Sequence, residues 1–593
     1  MMTLICMAAM FAGGVLVLLA GKIQSGWLAG VAFLVTAGAG AFLFLKHGVW
    51  PLIPPVLGVV AVMAAWWALV PHRRLPGNRV RHIRIRVRLR LHPGRGHATL
   101  FAVWLRWGRL AAFRRSATIR PSLPFWARVM IGVAAYSVML GRAHWRHGMR
   151  VPLEEHVLVM APPRTGKSGW LARIIMRYPG PVLSTTTKPD VYSLTSGIRA
   201  RGFRPVEVFN PAGIGGLPST FRWSPIAGCE DRAVAIRRAD GFADAVELGE
   251  DSALFKNAAR SYLRALFHAA ALVDGDMRLV SMWALTSSSG GAKPAEQILI
   301  DHGAPDWAAE LSQLRSKADK TAATNEIVMS QMLGFMMTPA LADAVLPEPG
   351  DVLDVAGFLR RSGTLYMIAD NAGREEAPLA PLFAAMTSEL HYVATQIGQA
   401  SPGGRLDPPL LMALDEVTQI CPVPLPFWLA DSGGKGVQII PVVHGEAQLR
   451  SRWGDDGAQV VMDTCGTKVW LPGITDPKTL KMASELCGQA GYRLKGQEHE
   501  SMHDVMAPDM IRQLPERHAL VVRGGLAPVI TRLPMAWKDR LYKRARRGGW
   551  AVYPAYARAD LGMPAGLPGP DPDEAPEPVA GIETGYSWTP GAR

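Results

Sequence analysis

The chain has 593 residues, more than a single hydrophobic core usually serves, so we expect at least two structural units. Residues 71–150 contain 18 Arg and no Lys, Asp or Glu, and residues 1–70 add two Lys; the total of +15 therefore leaves −5 for residues 151–593. This distribution excludes a chain that is basic throughout.

The cysteines are too widely spaced for a metal site or a redox motif and are expected to be reduced thiols: Cys6, Cys229, Cys421, Cys465 and Cys487.

The first 70 residues form the predicted membrane region. Residues 4–20, 27–45 and 49–70 are three apolar stretches, and about 20 such residues cross a bilayer as a helix. The absence of a charged side chain in residues 1–21 argues against a cleavable signal peptide. Prolines at the start of the third stretch leave two or three helices open. We therefore expect a multi-pass membrane protein.

The arginine-rich segment, residues 71–150, follows the last apolar stretch and is expected to be cytoplasmic by the positive-inside rule, together with the large C-terminal part. Within it, Arg84, Arg86, Arg88 and Arg90 alternate with apolar residues, which predicts a strand with one basic face. Nucleic acid and anionic lipid headgroups are both possible partners of that face.

From about residue 150 the pattern changes to apolar strands that alternate with helical stretches, which predicts an α/β fold with a parallel sheet covered by helices. The predicted strands are residues 156–160, 182–186, 206–209, 364–369, 410–414, 438–443 and 468–471.

We expect these strands to form one domain in two parts, residues 151–250 and 351–547, because residues 251–350 have helical periodicity and few strand signals. An inserted all-helical domain explains that interval. Residues 548–593 are rich in turn residues and proline and predict a disordered tail, with a docking peptide as the alternative.

A phosphate-binding loop is predicted after the first of these strands. The sequence APPRTGKS lies between the strand and the helical pattern GWLARIIMRY, which is the setting of a P-loop, although Ala161 stands where the first glycine is usual. Backbone amides and the helix N-terminus would bind phosphates, Lys167 would bridge the β- and γ-phosphates of ATP, and Ser168 would hold Mg²⁺. The predicted nucleotide-binding residues of the loop are Ala161, Pro162, Pro163, Arg164, Thr165, Gly166, Lys167 and Ser168.

The second half of a nucleotide site is predicted at the end of strand 410–414, in LLMALDEV. Asp415 would order Mg²⁺, and Glu416 would polarise the attacking water as the general base. With Lys167 these are the predicted catalytic residues; a buried strand that merely ends in two acids is the alternative. His444 ends the next strand as a candidate sensor of the γ-phosphate, or as a structural histidine.

Three arginines follow strand ends and are candidates for completing a neighbouring subunit's site: Arg374, Arg450 and Arg452. The loop DSGGKGV, residues 431–437, has the glycines for a close approach to a phosphate backbone, but a plain surface turn explains it equally well.

An ordered series of segments resembles the type IV coupling proteins, the TraG-like conjugation ATPases, over most of residues 95–535. The segments are YSVMLGRAHW, HVLVMAPPRTGKS, TTTKPDVY, FRWSPI, FKNAARSYLRALFHAAAL, LMALDEVTQICPVP, DSGGKGVQIIPVVHGEAQLRSRWG, TCGTKVWL and HALVVRGGLAPVI.

The resemblance implies a RecA-like motor domain with an inserted all-helical domain, anchored by N-terminal helices and assembled as a homo-hexamer. It implies that ATP hydrolysis with Mg²⁺ serves to bring relaxase-bound single-stranded DNA to the components of a secretion channel. Two departures stand out: relatives often have Gln where His444 stands, and their membrane part usually has two spans. A duplex-DNA segregation motor and a non-hydrolysing receptor for protein cargo are the alternative interpretations.

Overall fold

The computed structural model describes residues 96–143, 147–246, 253–286, 290–316, 319–348, 351–369, 379–492 and 501–548. All of them belong to the second of two compact units, His82–Arg593. The predicted membrane region 1–70, the basic strand around residues 84–90 and the tail from residue 549 lie outside the described residues. Within the described ranges, no helix combines the length and the apolar character that crossing a membrane requires.

The described strands form one large sheet and one small hairpin. In chain order they are β1 Ser137–Arg142, β2 Gly148–Pro152, β3 Val157–Met160, β4 Val182–Thr186, β5 Val206–Phe209, β6 Thr364–Ile368, β7 Leu410–Leu414, β8 Val437–Val443, β9 Thr467–Trp470, β10 Gln489–Tyr492, β11 Ser501–Asp504, β12 His518–Arg523 and β13 Leu526–Arg532. The large sheet has 11 strands in the order β2-β1-β13-β12-β9-β3-β8-β7-β4-β6-β5, and β10 pairs with β11.

The predicted parallel sheet is present. Strands β9-β3-β8-β7-β4-β6-β5 are the seven predicted from the sequence, and every neighbouring pair among them is parallel. β7 and β8 are buried at every position, as expected for strands covered on both faces. The α/β class is confirmed.

The other edge of the large sheet was not predicted. There β12, β13, β1 and β2 pair antiparallel, so the sheet is mixed rather than wholly parallel. Arg142, Arg150 and Arg532 lie in these strands, and such residues interrupt the continuous apolar runs that reveal the central strands.

The described helices are α1 Leu100–Trp107, α2 Arg109–Arg114, α3 Ser116–Ile119, α4 Phe125–Ile131, α5 Lys167–Arg177, α6 Asp190–Arg199, α7 Arg232–Ala245, α8 Ala253–Ala271, α9 Met277–Leu285, α10 Lys293–Asp301, α11 Pro305–Ser316, α12 Asp319–Leu333, α13 Pro339–Asp343, α14 Val355–Arg360, α15 Ala380–Gln399, α16 Leu425–Asp431, α17 Glu446–Thr464, α18 Pro477–Cys487, α19 Pro508–Arg512 and α20 Arg540–Arg547.

Between β5 and β6 the described residues form helices α7 to α14, with 3₁₀ helices at Ile214–Gly216 and Gly334–Met337 and an isolated bridge from Arg222 to Val352. These helices pack into the same hydrophobic core as one face of the sheet. At Gly241 of α7 a Cβ atom would lie 2.7 Å from the Cα of Ala385 in α15, so glycine permits this close helix contact. The boundaries 251 and 350 of the helical domain remain predictions.

Two cores lie on opposite faces of the sheet, and the pleat of β7 shows the division. Leu410, Met412 and Leu414 face the core that includes helices α7 to α12, while Leu411 and Ala413 face the core that includes α5. The carboxyl ends of β3, β7 and β8 therefore meet at one edge, where the loop before α5 also lies.

Candidate nucleotide site

The predicted P-loop occupies the strand–loop–helix position that its sequence indicates. β3 ends at Met160 and α5 begins at Lys167, after Gly166 with φ +88° and ψ 16°, a left-handed conformation that favours glycine. The Thr165 hydroxyl donates to the carbonyl of Pro162 at 2.8 Å and closes the loop. The first amides of α5 thus point out of a short, partly exposed loop, which is the arrangement that binds phosphate.

Alanine fits the first position of this loop. Ala161 is fully buried, and its amide donates to the carbonyl of Val443 at 2.8 Å. Positive φ occurs at Arg164, with φ 62°, but not at Ala161. The backbone therefore does not require glycine at position 161.

Asp415 and Glu416 follow the last residue of β7 and are 3% and 6% exposed. The Thr185 hydroxyl of β4 donates to the Asp415 carbonyl at 2.9 Å and fixes the strand end. Glu416 has φ 52°, a conformation that costs energy for a residue with a side chain and occurs often at functional sites. Its carbonyl accepts two bonds of 2.9 Å, from the amides of Gln419 and Ile420.

Lys167 brings the two halves of the site together. Its Nζ donates to Oε1 of Glu416 and lies 3.2 Å from Oδ1 of Asp415. Burial disfavours the ammonium form, but the two carboxylates outweigh burial and raise the pKa of Lys167. Burial raises the pKa of Asp415, Glu416 raises it further, and Lys167 opposes both. Lys167, Asp415 and Glu416 thus form one cluster of ionisable groups that is largely shielded from water.

The residues present fit Mg²⁺ and a nucleotide phosphate. Oδ1 of Asp415 and Oε2 of Glu416 are buried, and beyond the 3.2 Å contacts with Lys167 and His444 they have no polar partner among the described residues, so each keeps a lone pair at the site. Mg²⁺ is usually held by one or two carboxylates together with phosphate oxygens and waters. In the described part of the chain, no group of three or more His, Cys, Asp and Glu side chains is arranged to bind a metal ion without such additional ligands. Ser168, the second residue of α5, is partly exposed beside this site.

His444 joins the same cluster from the end of β8. Its Nδ1 lies 3.0 Å from the Ala161 carbonyl and donates to it, which directs Nε2 at Oε2 of Glu416, 3.2 Å away. The Gln448 side chain accepts from the His444 amide at 2.7 Å. The ring therefore connects the P-loop with the acid of β7.

The structure places two of the three candidate arginines in contacts within the chain. Arg450 bonds Glu446 at 2.9 Å and Asp455 at 2.6 Å, and Arg452 donates to the Asp244 carbonyl at 2.7 Å. Arg374 lies outside the described residues. Neither Arg450 nor Arg452 reaches the Lys167 cluster in these contacts.

The glycine-rich loop has structural reasons for its glycines. A Cβ at Gly433 would lie 2.3 Å from the Glu154 carbonyl oxygen, and Gly436 has φ +83°. Lys435 pairs with Asp431 four residues earlier. These contacts favour the interpretation as a turn between α16 and β8.

The sequence did not predict the support beneath the P-loop helix. A Cβ at Gly169 would lie 2.2 Å from the Trp537 ring, so α5 packs directly on the 3₁₀ helix Ala536–Lys538. Asp539 accepts from Arg173 at 2.9 Å and from Arg177 at 2.8 Å. The P-loop helix is therefore fixed by a segment more than 360 residues away in the chain.

One family model matches the chain, over residues 409–516: the TraM recognition site of TraD and TraG. This region includes Asp415, Glu416 and His444. No curated protein matches the chain.

Solved structures of one conjugative coupling protein share the fold. The unbound monoclinic form of the bacterial conjugative coupling protein TrwBdeltaN70 has a TM-score of 0.51 and 19% identity, over 68% of this chain and 91% of that chain. The plasmid coupling protein TrwB in complex with the non-hydrolysable ATP analogue ADPNP has a TM-score of 0.50 and 20% identity, over 64% of this chain and 86% of that chain. These similarities show a large mixed sheet of the RecA-like type.

Proposed function

We propose that this chain is a type IV coupling protein, an ATPase that couples DNA transfer to ATP hydrolysis. The family-model match over residues 409–516 and the shared fold support this proposal. The observation that carries the proposal is the cluster at the ends of three parallel strands. There Lys167 contacts both Asp415 and Glu416, and one buried oxygen of each carboxylate keeps a lone pair beyond its 3.2 Å contact with Lys167 or His444.

The chain's own residues have distinct proposed roles at this site. The amides of residues 164–168 at the N-terminus of α5 would bind the phosphates, with Lys167 on the β- and γ-phosphates. Ala161, Pro162 and Pro163 would shape the loop without donating to phosphate, because the Ala161 amide bonds Val443 and proline has no N–H. Asp415 and Ser168 would hold Mg²⁺, which would supply charge stabilisation at the phosphates. Glu416 accepts a proton from the attacking water.

His444 is the proposed link between the phosphate end of the site and the general base. Because its Nδ1 is committed to the Ala161 carbonyl, only Nε2 is free to respond to Glu416 or to a phosphate oxygen. A residue in this position reports the state of the site to β8 and, through Gln448, to α17.

The resemblance extends the proposal to partners and assembly. The chain would form a homo-hexamer, be anchored in a bacterial inner membrane by residues 1–70, and bring relaxase-bound single-stranded DNA to the components of a type IV secretion channel. An arginine of the neighbouring subunit would complete each site. The family-model match to a TraM recognition site supports a protein partner that binds within residues 409–516.

An unusual first residue in the P-loop would favour the alternative interpretation as a non-hydrolysing receptor. Ala161 sits there without a positive φ and with its amide bonded, so the alanine gives no reason for a defective loop. We therefore retain hydrolysis in the proposal.

The proposal is tested by binding of ADPNP and Mg²⁺ to the full chain in detergent, measured by calorimetry, with native mass spectrometry for the assembly. Wild type is expected to bind the nucleotide and to form hexamers. Lys167→Ala is expected to lose binding, and Asp415→Asn to lose the dependence on Mg²⁺. Equal binding by wild type and Lys167→Ala would refute the assignment of the site.

A further inference from the structure

Helix α4 is apolar and has no buried residue. Its sequence is FWARVMI, with a single charged residue, and none of its seven residues is buried. Trp126 is 69% exposed and Met130 is 80% exposed. A helix that is apolar all round is normally buried in a protein core or in a membrane. We therefore expect the exposed apolar side chains of α4 to be covered by a binding partner.

Helices α1 and α2 also expose apolar side chains. Phe101 and Trp104 of α1 are 68% and 46% exposed and stack with ring centroids 6.1 Å apart. Phe113 of α2 lies 5.9 Å from Phe125 of α4, which joins the helices. We call the exposed side chains of α1 and α4, together with Leu110 of α2, the apolar face.

Helices α1 and α2, which carry part of the apolar face, also border a strongly basic groove. A groove of about 420 Å³ beside α1 and α2 is lined by five arginines: Arg106, Arg114, Arg115, Arg150 and Arg523. Burial, and then the neighbouring Arg109 and Arg173, lower the pKa of Arg150 to about 10. The acid in the groove, Glu155, is already paired with Arg523 at 2.6 Å. Further negative charge would stabilise this groove.

We propose that the apolar face docks on the surface of an anionic bilayer, with α4 lying along the boundary between headgroups and acyl chains and the arginine groove facing lipid phosphates. Exposed Trp and Phe beside Arg are typical of that boundary, because the rings bury their apolar part while guanidinium groups reach the headgroups. The described part of residues 71–150 contains eight Arg and no Asp or Glu, a charge that suits lipid phosphate better than a second copy of the same segment.

The position of the apolar face in the chain supports the same partner. The last predicted membrane stretch ends at residue 70, and α1 begins at Leu100, so about 30 residues connect the two. This inference goes beyond the proposed function and does not depend on ATP turnover. It requires only the predicted membrane region.

The test places a fluorescent label at two exposed positions of the full chain in nanodiscs. Met130→Cys puts the label on α4, and Phe203→Cys, at a residue that is 98% exposed, is the matched control. Both variants carry Cys6→Ser, because the other four cysteines are buried. The nanodiscs contain phosphatidylcholine with or without phosphatidylglycerol, and a fraction of the lipid carries a nitroxide near the top or near the end of the acyl chain.

We expect nitroxide lipid to quench the label at position 130 several-fold more than the label at position 203. A nitroxide near the top of the chain should quench more than one near the chain end, because interfacial helices lie only about 5–10 Å deep. Phosphatidylglycerol should increase the quenching. Adding Trp126→Glu and Ile131→Glu to the labelled Met130→Cys variant should reduce the quenching by shifting α4 toward water, without unfolding the protein, since both side chains are exposed.

Equal quenching at positions 130 and 203 would overturn the proposal. A label at position 130 that neither nitroxide lipid nor aqueous iodide quenches would also overturn it, since the apolar face would then be covered by protein, either residues 71–95 or a second copy. Loss of ATP hydrolysis in wild type would leave the quenching result unaffected, so this inference and the proposed function fail separately.

Discussion

Replacing Glu416 by glutamine is the sharpest perturbation of the candidate site. The glutamine amide has the same shape as the carboxylate. The packing around this residue, which is only 6% exposed, is therefore kept. The substitution removes the negative charge that contacts Lys167 and faces His444 across 3.2 Å. It also removes the capacity to accept a proton from water.

The size of the effect follows from these contacts. A positioned general base contributes about 100- to 10,000-fold to the rate, which corresponds to about 2.7–5.4 kcal/mol at 1.36 kcal/mol per tenfold change. Stability should change much less, because Lys167 keeps Asp415 at 3.2 Å and is not left as an unpaired buried charge. We expect a loss of roughly 1 kcal/mol, as for an ordinary substitution.

The assay is ATP turnover by the full chain, with filter binding of labelled ATP measured in parallel. Glu416→Gln should retain bound ATP while its turnover falls by at least about 100-fold. Glu389→Gln is the matched control, since Glu389 is 8% exposed and pairs with Arg237 far from the P-loop. Undiminished turnover in Glu416→Gln, or an equal decrease in Glu389→Gln, would refute the assignment of the general base.

Three further predictions concern the support of the site. Gly169→Ala should force α5 off Trp537 and lower the thermal denaturation midpoint, at a cost of about 1–3 kcal/mol of stability. Adding Trp537→Ala should recover part of that stability. Additive losses in the double variant would contradict the contact. Asp539→Asn should destabilise the protein at neutral pH, because it removes the carboxylate to which Arg173 donates. Burial alone would raise the pKa of Asp539, but the bonds from the arginines outweigh burial and lower it. The greater stability of the wild type over Asp539→Asn should therefore persist down to pH 3.8 and disappear only below that pH in denaturation curves. A stability difference that is lost already at pH 6 would contradict this. Lys167→Ala should lower nucleotide-free stability by up to about 3–5 kcal/mol, because two buried carboxylates lose their cation; an unchanged melting curve would contradict the buried ion cluster.

Part of the fold could be predicted because parallel strands that are covered on both faces have continuous apolar sequences. β7, with the sequence LLMAL, is buried at all positions and stands out from its surroundings. The antiparallel edge could not be predicted in the same way. β1 and β13 end in Arg142 and Arg532, which pair across the strands, and such residues do not form an apolar run.

The convergence of Lys167 with Asp415 and Glu416 could be expected because the carboxyl ends of parallel strands meet at one edge of a sheet. The contacts of Trp537 and Asp539 with α5 could not. They join positions more than 360 residues apart, and no local pattern in the sequence encodes such a pairing. His444 was a candidate on position alone, and only its bond to Ala161 shows how the ring is oriented.

The central claim is that the Lys167 cluster drives a DNA-dependent motor, and steady-state ATP hydrolysis tests it most directly. The measurement uses the full chain in nanodiscs, with and without single-stranded DNA, beside Lys167→Ala. The account predicts hydrolysis that rises with DNA and is absent in Lys167→Ala. Nucleotide binding by an assembled protein, without turnover in either condition, would contradict it.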